Sequence, residues 1–169
     1  VLGLLGVIGN LLGMSTGSLG FQALMKMVPI ACDLALAAVC YAAAKKKFGN
    51  GVSLTVAAML ALNPAFIVTG SCWGQIDSVL ALLLVLMLLN AREGQWTIAI
   101  PIFALAVLAK PQAGLLVPLG VAALMKEAKL GGHRGKSIVL GLLGGAAVTL
   151  AIVLPFAWGE NIVTWLVDK

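Results

Sequence analysis

Residues 52–89, VSLTVAAMLALNPAFIVTGSCWGQIDSVLALLLVLMLL, decide the fold, because two long apolar runs flank a short polar cluster in this stretch. The cluster, Trp73-Gly74-Gln75-Ile76-Asp77, places a carboxylate beside segments that are apolar enough to lie in a membrane. An ionisable group in a membrane segment costs about 3 kcal/mol or more, and such groups mark functional sites by default. The cluster is therefore the first candidate for a functional site.

The composition excludes a soluble domain. Hydrophobic residues make up 62% of the 169 residues, charged residues only 10%, and the mean hydropathy is +1.10. A soluble domain carries about 45–50% apolar and about 25% charged residues. We therefore expect a polytopic membrane protein, and its spans should be α-helices because every backbone group in lipid must be satisfied within the segment.

The hydrophobic segments predict an all-α transmembrane helical bundle with about six or seven membrane segments, some of them short or broken. The segments are Val1–Leu12, Met27–Ala44, Val52–Thr69, Ser78–Leu89, Thr97–Ala109, Ala113–Leu124 and Ile138–Phe156. The second, third and last approach the roughly 20 residues of a full span. Because Val1 already begins an apolar segment, we expect residues 1–169 to be part of one multi-spanning membrane domain of a longer chain.

Basic residues between the segments predict the orientation. If each segment crosses once, eight of them fall on one face: Lys45, Lys46, Lys47, Arg92, Lys126, Lys129, Arg134 and Lys136. The positive-inside rule makes that face cytoplasmic. The net charge of +5 therefore orients the protein and contacts anionic lipid, and does not indicate nucleic acid. We expect a multi-pass protein of the plasma (inner) membrane with loops 45–47, 92 and 126–136 in the cytoplasm.

Two prolines predict interrupted helices. Asn63 precedes Pro64 inside the third segment, and we expect its side chain to bond the carbonyl that Pro64 leaves free. Lys110 precedes Pro111, and proline disfavours helix at the residue before it, so we expect a break there. This break brings residues 110–112 to the outer face, although a re-entrant dip from the cytoplasmic side would give the same order of loops.

The polar cluster is open to two kinds of interpretation. Asp77 either caps a helix that begins at Ser78 or faces a pocket, where it pairs with a cation or binds sugar hydroxyls, and the two roles are compatible. Gln75 adds a donor and an acceptor. Trp73 is either an interfacial belt residue or a platform for a sugar ring or isoprenoid.

Four further residues complete the candidate binding site: Lys26, Asp33, Lys110 and Gln112. Lys110 either snorkels to the outer head groups or holds a phosphate. Lys26 and Asp33 lie two turns apart on one helical face, and Asp33 is either a buried hydrogen-bonding group or part of the pocket floor. The residues assign no catalytic group. They also show no metal-ligand set, so we expect no cofactor, and a divalent cation that assists a phosphate is left open.

The chain resembles the polytopic GT-C-type glycosyltransferases, and more narrowly the bacterial mannosyltransferase-like membrane proteins with a Trp-Gly-Gln-x-Asp signature. The resemblance runs from about Lys26 to Phe156 and rests on four motifs in order: Asn63-Pro64-Ala65, Trp73-Gly74-Gln75-Ile76-Asp77-Ser78, Lys110-Pro111-Gln112 and Pro155-Phe156. It implies an enzyme that moves a hexose, expected to be mannose, from a polyprenyl-phosphate carrier to a lipid, glycan or protein acceptor on the extracytoplasmic side.

The resemblance also implies roles for residues. Lys110 is expected to hold the leaving phosphate, and Trp73, Gln75 and Asp77 to shape the sugar site. Enzymes of this kind usually carry their catalytic acid in the first large outer loop, and no acid precedes Lys26, so we expect the base upstream of this chain.

Two alternatives remain. A transporter or flippase-like module also has broken helices with polar residues near the membrane midplane. A structural subunit of a larger membrane complex would use the polar breaks to contact its partners. The expected partners in the enzyme interpretation are a polyprenyl-phosphate-linked sugar donor and membrane lipids.

Overall fold

The computed structural model describes residues 18–72, 75–128 and 133–157, and the predicted segment Val1–Leu12 lies outside them. The described residues form helices and connecting turns without a strand, which confirms the all-α prediction. In chain order the elements are α1 (Leu19–Lys45), α2 (Asn50–Ala61), α3 (Pro64–Phe66), a π-helix (Ile67–Cys72), α4 (Asp77–Arg92), α5 (Trp96–Ala109), a 3₁₀-helix (Pro111–Leu116), α6 (Val117–Ala128) and α7 (His133–Ala157).

Three helical stretches within the described residues are long and apolar enough to cross a membrane: Leu19–Lys45, Asn50–Gly70 and Gly135–Leu154. They correspond to the three segments predicted as full spans. Their large apolar side chains point outward in many places; Leu54 is 64% exposed and Leu143 is 62% exposed. A helix that is apolar on its exposed side needs lipid or a further helix around it, so the surface agrees with a helical membrane protein.

The chain divides into two compact units, Val1–Val85 and Leu86–Lys169. In the first unit, α1 packs along α2 and against the π-helix. The hydroxyl of Ser18 accepts a hydrogen bond from the backbone N–H of Phe21 (3.2 Å) and so caps α1. Pro29 lies inside α1 and is fully buried.

The predicted break at Asn63-Pro64 is confirmed, but the predicted role of Asn63 is wrong. Helix α2 ends at Ala61, and the Asn63 side chain accepts from the backbone N–H of Ala65 (2.9 Å) instead of bonding a carbonyl. Pro64 occupies the first turn of α3, where its missing N–H is no loss. The donor that needs a partner therefore lies after the proline, and Asn63 serves it as an N-cap.

In the second unit, α5 and α7 make the closest helix–helix contact. A Cβ atom at Gly141 would collide with the carbonyl oxygen of Trp96, so the two backbones touch directly. Thr97 and Ser137 fasten the same pair of helices: the Thr97 N–H donates to the Ser137 hydroxyl (3.2 Å), and the two hydroxyls lie 2.9 Å apart. Trp96 is buried together with Ala99 in the core of this unit.

Candidate functional site

The polar cluster that the sequence singled out lies between the π-helix and α4. Trp73 and Gly74 are outside the described residues. The backbone N–H of Gln75 donates to the carbonyl of Thr69 (3.0 Å), so the chain that leaves the π-helix is tied back to it. The Thr69 hydroxyl in turn donates to the carbonyl of Ala65 (2.7 Å). Isolated π-helical turns are rare and frequently occur at functional sites, and this one leads directly into the cluster.

Asp77 begins α4, one residue earlier than the sequence predicted. The carbonyl of Ile76 accepts the first helical bond, from the N–H of Leu80 (3.2 Å), so Ile76 and not Asp77 occupies the capping position. The half-buried Asp77 lies in the first turn, where the helix dipole favours a negative charge. The start of the helix therefore stabilises the ionised carboxylate. Gln75 is exposed at the start of the same turn.

Asp33 of α1 lies beside Gly70, and Ser78 approaches the same point. A Cβ atom at Gly70, in the π-helix, would lie 3.0 Å from Asp33 Oδ2, 3.6 Å from Pro29 Cβ and 3.7 Å from Ser78 Oγ. Gly70 is itself buried. Residues 70 and 78 bracket the Trp-Gly-Gln-Ile-Asp cluster, so the carboxylate of Asp33 sits at the base of the segment that carries it.

Two polar atoms at this point have unused hydrogen-bonding capacity. Asp33 Oδ1 and Ser78 Oγ are both buried, and neither has a hydrogen-bond partner among the residues that the structure describes. Ser78 is only 1% exposed, whereas Asp33 is half-buried. Buried polar groups are nearly always hydrogen-bonded, so the pair marks a position where a ligand group or water has bonds to make.

The break predicted at Lys110 is confirmed. Helix α5 ends at Ala109, Lys110 is extended (φ −148°, ψ 120°), and the 3₁₀-helix begins at Pro111. The carbonyl of Lys110 accepts from the N–H of Ala113 (3.0 Å), which starts the new helix. Lys110 is half-buried and Gln112 is exposed. The break therefore carries a positively charged side chain and an amide side chain on backbone that is not α-helical.

Lys26 lies on α1 together with Asp33 and is half-buried. Pro29 stands between them and has no N–H to donate to the carbonyl of Met25. The predicted spacing of Lys26 and Asp33 on one continuous helix is therefore confirmed, and a proline interrupts its hydrogen bonding between the two charges. Within the described part of the chain, no three His, Cys, Asp or Glu side chains cluster in a way that would hold a metal ion.

The second unit has a partly open apolar pocket of about 250 Å³ between α4, α5, α6, the 3₁₀-helix and α7. Its lining includes Trp96, Phe103, Leu116 and Gly120. The Trp96 indole N–H is buried, and no described residue accepts a hydrogen bond from it. The apolar lining suits an apolar chain.

Comparison with known proteins now adds to this geometry. The family model of dolichyl-phosphate-mannose-protein mannosyltransferases matches residues 14–158, which is most of the chain. The chain belongs to this mannosyltransferase family. Among curated proteins and among solved structures, none matches it significantly. The family confirms the resemblance drawn from the sequence motifs and indicates a membrane glycosyltransferase.

Gly70 and Ser78, the two residues that approach Asp33, were not predicted as candidate site residues. Ser78 ends the recognised motif and Gly70 precedes it, but a glycine and a serine carry no signal of their own. The available signal was that both are small residues flanking the polar cluster. Such residues allow close approach of another element, here α1 with Asp33.

Proposed function

We propose that this protein transfers mannose from a polyprenyl-phosphate carrier to a lipid, glycan or protein acceptor on the extracytoplasmic side of the membrane. The observation that carries the proposal is the family match over residues 14–158. The three apolar stretches long enough to span a membrane support a lipid-linked donor, because such a donor is presented within the bilayer.

The sugar site is proposed to form around the Trp73–Asp77 cluster. Asp77 is held in the first turn of α4, and a carboxylate accepts hydrogen bonds from two sugar hydroxyls at once. Gln75 is exposed beside it and offers both a donor and an acceptor. Trp73 would stack on one face of the sugar ring, because the apolar C–H groups of that face pack against an aromatic side chain.

Lys110 is proposed to bind the phosphate of the donor. It lies half-buried on extended backbone at the break between α5 and the 3₁₀-helix. The lysine ammonium group is a compact positive charge that stabilises the negative charge developing on the leaving phosphate. Unlike the arginine guanidinium group, it does not require a fixed planar geometry. The apolar pocket of the second unit supports the same donor, because its walls suit a segment of isoprenoid chain.

The reaction is a displacement at the anomeric carbon. The acceptor hydroxyl gives its proton to a carboxylate base, its oxygen forms the new bond to carbon, and the bond from carbon to the phosphate oxygen breaks to release polyprenyl phosphate. We assign no base within residues 18–157 and expect it upstream in the full protein. The basic loops 45–47, 92 and 126–136 are proposed to face the cytoplasm.

The proposal is tested with the full-length protein in proteoliposomes and radiolabelled polyprenyl-phosphate mannose. Wild type should release label from the donor when crude membrane acceptors are present. Asp77→Asn and Lys110→Gln should each lower kcat/KM at least about tenfold, the loss expected for one charge-assisted contact. Lys136→Gln is the control, since this exposed lysine lies in the first turn of α7 and belongs to the basic residues predicted to be cytoplasmic.

A well-folded wild-type protein that consumes no donor would contradict the transferase proposal and favour the transporter alternative. Full activity in both site variants would keep the transferase but remove these residues from its site.

A further inference from the structure

The carboxylate of Asp33 and the hydroxyl of Ser78 are the strongest unexplained feature of the first unit. Both approach the same side of Gly70, at 3.0 Å and 3.7 Å from the position of a Cβ atom there. Both carry a buried oxygen that bonds to no described residue. Two such atoms in one place are unusual in a folded protein, because buried polar groups are nearly always paired.

The two groups complement one another toward a single type of ligand. A carboxylate oxygen only accepts, whereas a serine hydroxyl donates as well as accepts. A ligand hydroxyl that donates its proton to Asp33 and accepts one from Ser78 satisfies both groups. A metal ion fits less well, since no third acid, cysteine or histidine joins Asp33 among the described residues.

The missing partners of these two oxygens favour a ligand over a purely structural pair. Ser78 is buried, and Asp33 is half-buried as a residue although its Oδ1 atom is buried. Ser53 shows the contrasting case: this serine is fully buried in α2, and its hydroxyl donates within the helix to the carbonyl of Gly49 (3.1 Å).

We propose that Asp33 and Ser78 form a hydroxyl-binding pair that selects one hydroxyl group of the transferred hexose. The assignment rests on the proposed function, which places the sugar at the neighbouring Trp73–Asp77 cluster. Ser78 follows that cluster directly in the chain, and Asp33 lies beside Gly70, which precedes the cluster. In this proposal, a hexose at the cluster directs one hydroxyl to the pair. Ser78 is then a specificity-determining residue in addition to Trp73, Gln75 and Asp77.

The experiment uses the full-length protein in proteoliposomes with polyprenyl-phosphate mannose and a panel of donors that each lack one hydroxyl of the sugar. Wild type should discriminate against one of these deoxy donors by at least about tenfold in kcat/KM, because a site built to bond a hydroxyl is left unpaired without it. Ser78→Ala should lower kcat/KM for the complete sugar about tenfold and leave that for the affected deoxy donor unchanged. Asp33→Asn should reduce the same discrimination.

Ser53→Ala is the matched control, since it removes a buried hydroxyl that is already satisfied within its own helix. It should keep the wild-type ratio for every donor. A purely structural pair would lower the folded yield or the overall rate of Ser78→Ala without changing that ratio.

Unchanged discrimination in Ser78→Ala against every deoxy donor overturns the hydroxyl-binding pair, whether the true occupant is water or an acceptor group. If Asp33→Asn does not fold, Ser78→Ala still decides the question. The proposed function fails differently: wild type would then consume none of the donors, the complete sugar included.

Discussion

At the scale of single residues, Gly70 has little room for a side chain. A Cβ atom there would lie 3.0 Å from Asp33 Oδ2 and force the carboxylate to move. We expect Gly70→Ala to reduce sugar transfer about tenfold through this displacement, the equivalent of roughly 1.4 kcal/mol of transition-state binding. Its thermal midpoint should stay close to that of wild type, because alanine is otherwise the better residue in helical backbone.

Gly51→Ala is the control for this substitution. Gly51 also lies in a helix, α2, and nothing is within 4 Å of a Cβ atom placed there. Equal activity of the two variants would show that the position of Asp33 does not matter for transfer.

The residues that the sequence identified were those whose chemistry is out of place in an apolar run. Asp33 and Asp77 stood out because a carboxylate in such a run is expensive. Ser78 gave no such signal, since serine is tolerated in apolar helices, and its meaning depends on Asp33, which is far away in the sequence. The two residues come near the same point at Gly70 only once α1 packs against the π-helix. Helix α4 starts at Asp77, one residue earlier than predicted.

At the scale of elements, the pairing of α5 with α7 depends on Gly141. The Cβ atom of an alanine there would collide with the backbone carbonyl of Trp96, and a carbonyl cannot turn aside as a flexible side chain can. We expect Gly141→Ala to destabilise the second unit by about 2 kcal/mol, the typical cost of overpacking. The thermal midpoint of the detergent-solubilised protein measures this loss. Gly120→Ala should leave the midpoint unchanged or raise it slightly, since a Cβ atom at Gly120 in α6 meets nothing within 4 Å. A Gly141→Ala protein as stable as this control would show that the two helices separate at little cost.

The positions of the helix breaks were predictable from the sequence, but the type of helix that follows each break was not. Pro64 and Pro111 interrupt helices where the sequence placed the interruptions, because proline lacks a donor and restricts the residue before it. The π-helix that follows α3 was not predicted. Its wider turn leaves no periodic pattern in a stretch as uniformly apolar as Ile67-Val68-Thr69. The predicted segment Ala113–Leu124 likewise divides into a 3₁₀-helix and α6 for packing reasons that its composition does not reveal.

At the scale of the whole molecule, composition alone was sufficient for the class of protein. A chain of this length that is 62% hydrophobic cannot bury its apolar surface in a soluble fold. The described helices expose large apolar side chains, as membrane spans do. The topology is a further prediction from the distribution of charge. Lysine and arginine in short loops set orientation, because they are retained on the cytoplasmic side.

This topology is tested by cysteine labelling in intact cells, in a full-length variant whose native cysteines, Cys32, Cys40 and Cys72 among them, are replaced by alanine. Gln75→Cys should react with a membrane-impermeant maleimide without permeabilisation, because Gln75 is exposed and belongs to the motif proposed to face outward. Lys47→Cys should react only after permeabilisation, since Lys47 is exposed in the turn after α1 and belongs to the first basic loop. Both variants must retain transfer activity for the comparison to hold. The reverse pattern would place the polar cluster in the cytoplasm, where a donor presented at the outer leaflet cannot reach it, and would contradict the proposed side of the reaction together with the topology.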